Sequence, residues 1–277
     1  MNIKHFNIMV TEQECGHARA SLKPADLTAY LLDRLPHKPE LLRPAVVLCA
    51  GGGYGFVSPR EDQPVAMEFL AAGCQVFSLH YSVAPETFPV ALMELAKAVA
   101  LVKSHACEWN IDTERIMVCG FSAGGHLAAS LGIFWNRPFL GERLGVEAER
   151  IRPDGMILCY PVISSGEYCH GDSFVNLLGE SYDALVDEMS LEKQVHSQVP
   201  PAFIWHTFSD DCVPVENSLL FVMALRKQGI PTEFHMYPRG VHGLSLANSL
   251  TLSIQGHGIQ EECQSWMALA KIWLKNL

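Results

Sequence analysis

The sequence lacks the features that mark membrane-spanning, disulfide-linked and metal-binding proteins. No uninterrupted apolar segment is long enough to cross a bilayer, and residues 1–10 lack the continuous apolar stretch of a secretory leader. The nine cysteines form no C-x-x-C pair, and the sequence contains neither H-E-x-x-H nor H-x-H. We therefore expect a cytoplasmic protein with reduced cysteines, without a bound metal and without a membrane partner.

Basic residues are also scarce relative to acidic ones. Lys and Arg number 20 against 30 Asp and Glu, which gives a formal net charge of -10. Such a chain repels phosphate backbones, so we expect no nucleic-acid partner. Hydrophobic residues make up 49% of the chain, enough for a sizeable core. No repeat or flexible linker divides the 277 residues, and we predict a single domain over residues 1–277.

Apolar runs alternate with segments of helical periodicity from residue 45 onward. Strands are predicted at residues 45–50, 75–79, 115–119, 155–159, 202–206 and 232–237, and helices at residues 63–72, 90–102, 123–134, 216–228 and 260–274. This alternation is typical of βαβ units, and it predicts an α/β fold with a mostly parallel twisted sheet and helices on both faces. Two earlier runs, residues 6–10 and 27–35, are predicted to pair as edge strands.

Residues 161–200 separate the fourth and fifth of these core strands. The segment is longer than one crossover needs, and it is polar with scattered apolar residues. Two interpretations stay open: a small cap insertion over the site, or a decorated crossover packed on the sheet edge.

Residues 120–124 read G-F-S-A-G, a match to G-x-S-x-G between a predicted strand and a predicted helix. In that context Ser122 lies on a tight turn that exposes its hydroxyl. Glycine is favoured at Gly120 and Gly124 because side chains there would collide with neighbouring strands. The following helix directs its N-terminus, which favours negative charge, toward the site. We therefore predict that Ser122 is a catalytic nucleophile rather than a serine that only caps the helix.

A glycine-rich loop, A-G-G-G-Y-G from residue 50, follows the first core strand. Attack of a serine on an ester carbonyl creates an alkoxide, which needs N–H donors fixed in advance. One predicted donor is the backbone N–H of Ala123, directly after the nucleophile. The loop resembles the HGGG motif of esterases and lipases with Ala50 in place of the histidine, and this match implies Gly52 and Gly53 as the other donors.

The glycine-rich loop has two other interpretations. A phosphate-binding loop is disfavoured because neither G-x-x-x-x-G-K-[ST] nor G-x-G-x-x-G fits these residues. A purely structural turn stays open.

A serine hydroxyl becomes a strong nucleophile when a histidine accepts its proton and an acid orients that histidine. In this type of fold the acid and then the histidine follow the serine, each after a strand. The pattern D-x-x-V-P begins at Asp210, which we prefer as the acid to its neighbour Asp211. After the last strand, His242 stands in the glycine-flanked loop R-G-V-H-G and is the predicted general base.

Three others of the twelve histidines lie near these motifs. His257 stands in a similar G-H-G string but lacks a preceding strand, so it is the second choice for the base. His126, on the helix after Ser122, and His206, near the end of a strand, are predicted to be structural.

Taken in chain order, the motifs resemble those of the α/β-hydrolase esterases of the hormone-sensitive-lipase and acetyl-esterase type. The matching segments are A-G-G-G-Y, Y-S-V-A-P-E, G-F-S-A-G-G-H, D-x-x-V-P and G-x-H-G, and they fall within residues 45–243. The resemblance is closest to bacterial acetyl esterases grouped with xylan and other carbohydrate deacetylases. It implies the α/β-hydrolase fold and hydrolysis of a small-molecule ester, with a short acyl group such as acetyl, through an acyl-enzyme and without a cofactor.

The chain departs from this family pattern in three respects. Ala50 replaces the histidine before the glycines, so the anchoring of that loop must differ. Ser82 replaces the arginine of Y-R-L-A-P-E. The N-terminal part is short for the helical cap of the lipase-like branch, which disfavours long-chain substrates.

Two other functions are compatible with the same fold. A serine peptidase of the prolyl-oligopeptidase type shares the order of the three residues, but it usually carries a large additional domain. A catalytically silent ligand-binding protein usually lacks one of the three. The oligomeric state is left open by the sequence, and a homodimer is compatible with it.

Overall fold

Eight strands form one sheet in the computed structural model of the chain, which describes residues 1–277. In chain order they are β1 (Asn2–Ile8), β2 (Ala25–Leu31), β3 (Arg43–Cys49), β4 (Gln75–His80), β5 (Ile111–Phe121), β6 (Gly155–Cys159), β7 (Ala202–Thr207) and β8 (Thr232–Tyr237). Their order across the sheet is β1-β2-β4-β3-β5-β6-β7-β8. All neighbours from β4 to β8 pair parallel, whereas β2 pairs antiparallel with β1 and with β4. The predicted mostly parallel sheet, with two early strands paired at one edge, is confirmed.

Helices connect the strands and cover both faces of the sheet. They are α1 (Glu12–Cys15), α2 (Gln63–Ala71), α3 (Val90–Ser104), α4 (Ala106–Trp109), α5 (Ala123–Phe134), α6 (Pro138–Leu144), α7 (Ala148–Ile151), α8 (Gly171–Leu178), α9 (Tyr182–Leu185), α10 (Glu216–Lys227) and α11 (Ser265–Asn276). None of them combines the length and the apolar character that crossing a bilayer requires. Six of these helices, α1, α4, α6, α7, α8 and α9, were not predicted.

Successive residues of β3 belong to different apolar layers. Val46 belongs to a cluster with Phe69 of α2 and Trp266 of α11, whereas Val47 belongs to a larger cluster that includes α3, α5 and α10. This alternation is that of a pleated strand. Because both faces are covered, the strand reads as one continuous apolar run.

Several element bounds differ from those predicted, and β5, for example, spans Ile111–Phe121 rather than residues 115–119. β1 begins earlier, at Asn2, because most of this strand is exposed and needs no apolar run. β2 begins at Ala25 and ends at Leu31 rather than at residue 35. The predicted first strand ends sooner because Thr11 forms a capping box with Glu14 and starts α1. The last predicted helix opens with a 3-10 turn, and α11 itself begins at Ser265.

The segment at residues 161–200 packs on the larger apolar cluster and contains α8 and α9. Phe174 and Leu191 from this segment are buried in that cluster. His170 and Asn176, from the same segment, line the cavity at the carboxyl ends of the strands. The segment therefore extends the core and also forms one wall of a cavity. The single-domain assignment stays a prediction.

A buried charge cluster occupies the region of residue 82, where the related motif has an arginine. Arg19 brings its guanidinium to 3.4 Å from Glu86 and 3.9 Å from Glu94, beside Ser82. Burial raises the pKa of Glu94 to about 7, although the hydrogen bonds from Ser82 and the nearby guanidinium oppose this rise. Arg19 therefore supplies from a distant segment the positive charge that Ser82 cannot.

Replacing Arg19 with methionine should lower the free energy of unfolding by about 3–5 kcal/mol, because two buried carboxylates would lose their cation. Urea unfolding at pH 8, where Glu94 is ionised, measures this loss. The matched control is Arg239→Met, at an arginine whose side chain is 75% exposed and paired with Glu262. That exposed pair should contribute less than about 1 kcal/mol. Equal losses in the two variants would contradict the prediction.

Candidate active site

Ser122 lies on a strained turn between β5 and α5. Its backbone has φ 52° and ψ -120°, a region that residues with side chains rarely adopt. Its N–H donates to the carbonyl of Cys159 at 3.0 Å, and its carbonyl accepts the N–H of Val162 at 3.0 Å. The residue is 7% exposed and lines a cavity. The turn thus presents a nearly buried hydroxyl to that cavity.

The glycines on either side of Ser122 permit close packing at this turn. A β-carbon on Gly124 would lie 2.1 Å from the carbonyl oxygen of Cys49, at the end of β3. A β-carbon on Gly120 would lie 2.0 Å from the carbonyl oxygen of Gly124. Because atoms cannot approach this closely, only glycine lets α5 begin against the neighbouring strand.

The structure brings Ser122, His242 and Asp210 together at the carboxyl edge of the sheet. His242 follows β8, and its Nε2 lies 2.8 Å from Ser122 Oγ. Its Nδ1 lies 2.7 Å from Asp210 Oδ2, in the loop after β7. In this hydrogen-bonded arrangement the imidazole can accept the hydroxyl proton, and the carboxylate stabilises the imidazolium that results.

Asp210 is held as a carboxylate by several donors. Its Oδ1 accepts the backbone N–H groups of Cys212 at 3.1 Å and Val213 at 2.9 Å. Its Oδ2 also lies 3.3 Å from His206 Nε2. Burial alone would raise the pKa of Asp210, but hydrogen bonds from two histidines and a backbone amide hold it well below its usual value. Asp211, by contrast, is exposed, and the carboxylate that binds His242 Nδ1 is that of Asp210.

The other histidines near the motifs do not reach Ser122. His126 is buried, with Nδ1 3.0 Å from the Tyr54 hydroxyl and Nε2 3.0 Å from the carbonyl of Met189. Burial lowers the pKa of His126 to about 4, so it is neutral and donates from Nε2 to that carbonyl. His257 is exposed at the rim of a neighbouring pocket. His206 is buried and hydrogen-bonded as a structural residue, but its contact with Asp210 was not foreseen.

Hydrogen bonds to the carbonyls of the glycine-rich loop fix the direction of its N–H groups. The Gly51 carbonyl accepts the N–H of Ser58 at 2.9 Å, and the Gly52 carbonyl accepts the N–H of Gly55 at 2.9 Å. In a trans peptide the following N–H points the opposite way. The N–H groups of Gly52 and Gly53 have no acceptor within the protein. Both remain available to a ligand in the cavity, which these glycines line.

Two side chains that sequence reasoning missed also hold this loop. The Tyr81 hydroxyl donates to the carbonyl of Ala50 at 2.7 Å, and Asn176 Nδ2 donates to the carbonyl of Gly53 at 2.9 Å. Tyr81 opens the Y-S-V-A-P-E segment, so that motif was a signal for it. Nothing in the sequence indicated Asn176, which lies on α8 within residues 161–200.

A cavity of about 450 Å³ opens over Ser122 and His242. Polar and charged side chains outnumber apolar ones among its lining residues, and Phe56 is the only large apolar side chain there. No group of three or more His, Cys, Asp or Glu side chains is arranged to hold a metal ion.

Comparison with known proteins assigns the chain to a family. The BD-FAE family profile matches residues 33–225. Endo-1,4-beta-xylanase B of Butyrivibrio fibrisolvens is 39% identical over 80% of this chain and 35% of its own length. Acetylxylan esterase of Xylanibacter ruminicola is 31% identical over 79% of this chain and 44% of its own length. The chain thus spans less than half the length of either relative.

A solved structure resembles the whole chain. The acetyl ester-xyloside bifunctional hydrolase of Caldicellulosiruptor lactoaceticus shares 37% identity, with a TM-score of 0.81 over 99% of this chain and 96% of that one. The family profile covers well over half of the 277 residues. The chain therefore belongs to the BD-FAE family and has the α/β-hydrolase fold.

Proposed function

We propose that the chain removes short acyl groups, acetyl above all, from small esters by serine catalysis, and that its substrates include acetylated carbohydrates. The observation that carries this proposal is the series of hydrogen bonds from Ser122 through His242 to Asp210, beside a cavity lined by several polar side chains. Ser122 Oγ attacks the ester carbonyl while His242 Nε2 takes its proton. The protonated imidazole then gives that proton to the departing alcohol. Water, activated by the same histidine, hydrolyses the acyl-enzyme and releases the acid.

The N–H groups of Gly52, Gly53 and Ala123 stabilise the oxyanion of each tetrahedral intermediate. The first two have fixed directions and no internal acceptor. Ala123 is the first residue of α5, where a backbone N–H has no acceptor within the helix. Donors fixed before the reaction need no reorganisation when negative charge develops on the oxygen.

The lining of the cavity favours substrates with a short acyl group. Each buried methylene contributes about 0.8 kcal/mol to binding, but the cavity offers Phe56 as its only large apolar side chain, and that side chain is 61% exposed. A long acyl chain would therefore find little apolar surface. The lining side chains that can form hydrogen bonds, such as Arg60, Asp172 and Asn176, support a polyhydroxylated alcohol part, as does the similarity to an acetylxylan esterase.

A substrate series tests this proposal. We expect kcat/KM to be highest for p-nitrophenyl acetate. For p-nitrophenyl octanoate it should be lower by about tenfold or more, because the cavity has little apolar surface to cover the long acyl chain. Release of acetate from acetylated xylo-oligosaccharides should exceed release from ethyl acetate at equal ester concentration. Initial rates by absorbance and by acetate assay give both results.

Three outcomes would contradict parts of the proposal. A preference for the octanoate would contradict the short acyl group. Faster cleavage of a peptide p-nitroanilide than of the acetate ester would favour a peptidase. Failure of a fluorophosphonate probe to label Ser122 would favour a protein that binds ligands without turnover.

A further inference from the structure

A buried carboxylate at the edge of the cavity binds the glycine-rich loop and takes no part in the proton relay. Glu61, at the end of the 3-10 turn Pro59–Glu61, is 3% exposed. Its Oε2 accepts the N–H of Gly51 at 2.7 Å, and its Oε1 accepts the hydroxyl of Tyr160 at 2.6 Å. A β-carbon on Gly51 would lie 2.9 Å from the β-carbon of Ser122. The carboxylate therefore holds the backbone that lies directly against the serine.

Tyr160, the hydrogen-bond partner of Glu61, also contacts the loop that carries His242. The Tyr160 ring stands edge-on to the His242 ring, with centroids 5.1 Å apart and an interplanar angle of 74°. Its oxygen accepts the N–H of Ser245 at 2.9 Å, three residues after that histidine. Burial, followed by the charge of Glu61, raises the pKa of Tyr160 well above its usual value, so the phenol stays protonated and donates to Glu61.

We propose that Glu61 is a positioning residue that, through Tyr160, fixes the glycine-rich loop and the His242 loop relative to each other across Ser122. This inference rests on the proposed function. It also explains how the loop is anchored when Ala50 stands where related esterases have a histidine. Glu61 acts through Gly51 and Tyr160, and it forms no hydrogen bond with the serine hydroxyl or the imidazole.

The site requires a carboxylate because two donors face it. Gly51 N–H cannot turn away, and the Tyr160 oxygen already accepts the N–H of Ser245, so its own hydrogen is directed to Glu61. A carboxylate accepts with both oxygens, whereas an amide accepts with only one. Glutamine at residue 61 would keep the bond to Gly51 but present its NH₂ to Tyr160, leaving the phenol hydrogen buried without an acceptor.

Glu61→Gln and Tyr160→Phe test the proposal. Each should lower kcat for p-nitrophenyl acetate by about 10- to 100-fold, the effect of a small misplacement of reacting groups, while KM changes little. The inhibition constant of a trifluoromethyl ketone, which forms a tetrahedral adduct with the serine, should rise by the same factor as kcat/KM falls. Rates are taken at 25 °C, well below thermal unfolding, per active site titrated with a fluorophosphonate. A merely structural role would lower the unfolding temperature without moving kcat or the inhibition constant.

Asp154→Asn is the matched control. Asp154 also accepts a backbone N–H, that of Ile116 at 2.9 Å, but it precedes β6 at the opposite end of the sheet. Its replacement should leave kcat and the inhibition constant unchanged. The double variant at residues 61 and 160 should lose little more activity than the more affected single variant, because the two side chains act as one unit.

Unchanged kcat and inhibition constant in Glu61→Gln, with the unaltered chain active, would overturn the inference and leave the proposed function intact. If Glu61→Gln does not fold, Tyr160→Phe decides by the same criterion. Absence of ester hydrolysis and of probe labelling in the unaltered chain would instead overturn the proposed function, and with it the inference. The two failures are thus distinguishable.

Discussion

Replacing Ser122 with alanine should reduce kcat/KM for p-nitrophenyl acetate by roughly 10⁴- to 10⁶-fold, because the hydroxyl that attacks the carbonyl would be absent. The cavity wall and the N–H donors would remain, so the variant should still bind the ester. KM should therefore change far less than kcat. Steady-state rates at high enzyme concentration, corrected for spontaneous hydrolysis, measure the loss.

The control for this variant is Ser130→Ala, two turns further along α5. Ser130 is 3% exposed and loses the same hydroxyl group, but it does not line the cavity. Its variant should keep both turnover and fluorophosphonate labelling, whereas Ser122→Ala should lose both. Ser122→Ala turnover within about tenfold of the unaltered chain would reject the serine as the nucleophile.

The core elements could be predicted from the sequence because turn-forming residues delimit them sharply. β6 and β8 have the predicted bounds, and α5 does as well. β6 is a continuous apolar run that ends just before Tyr160 and Pro161, so its length could be predicted from where that run stops. The carboxyl ends of parallel strands lie at one edge of the sheet, so the loops after β5, β7 and β8 could be expected to meet there.

The direction of a side chain that leaves an irregular turn could not be predicted in this way. Glu61 and Asp62 are adjacent acidic residues in the same loop, but Glu61 faces the glycine-rich loop while Asp62 binds His80 Nε2 at 2.6 Å. Hydrophobic periodicity carries no information about such a choice, because it applies to regular helices and strands. The support of the glycine-rich loop was therefore missed even though the loop itself was identified.

The motifs also did not indicate which distant segments of the chain would contact each other. Arg19 lies 63 residues before Ser82 and reaches it only because β1 and β2 dock antiparallel at the edge of the sheet. The motif showed only that Ser82 stands where related sequences have an arginine. Which residue replaces that charge depends on how the two early strands pack.

Replacing Asp210 with asparagine should lower kcat by about 10⁴-fold while the fold persists. Backbone N–H groups of Cys212 and Val213 bind Oδ1, so the asparagine oxygen must take that position. Its NH₂ would then face His242 Nδ1 and donate to it. The imidazole would carry its hydrogen on Nε2, where it could no longer accept the proton of Ser122. Single-turnover kinetics with p-nitrophenyl acetate measure this loss of acylation.

Asp211→Asn is the matched control, because it makes the same change one residue away on an exposed side chain. It should leave kcat close to that of the unaltered chain. Both variants lose one negative charge in this loop, but only Asp210→Asn removes the acceptor for His242 Nδ1 and changes the histidine tautomer. Comparing the two variants therefore distinguishes these two effects. Equal losses of activity at the two positions would show that overall charge, rather than the orientation of His242, accounts for the role of this loop.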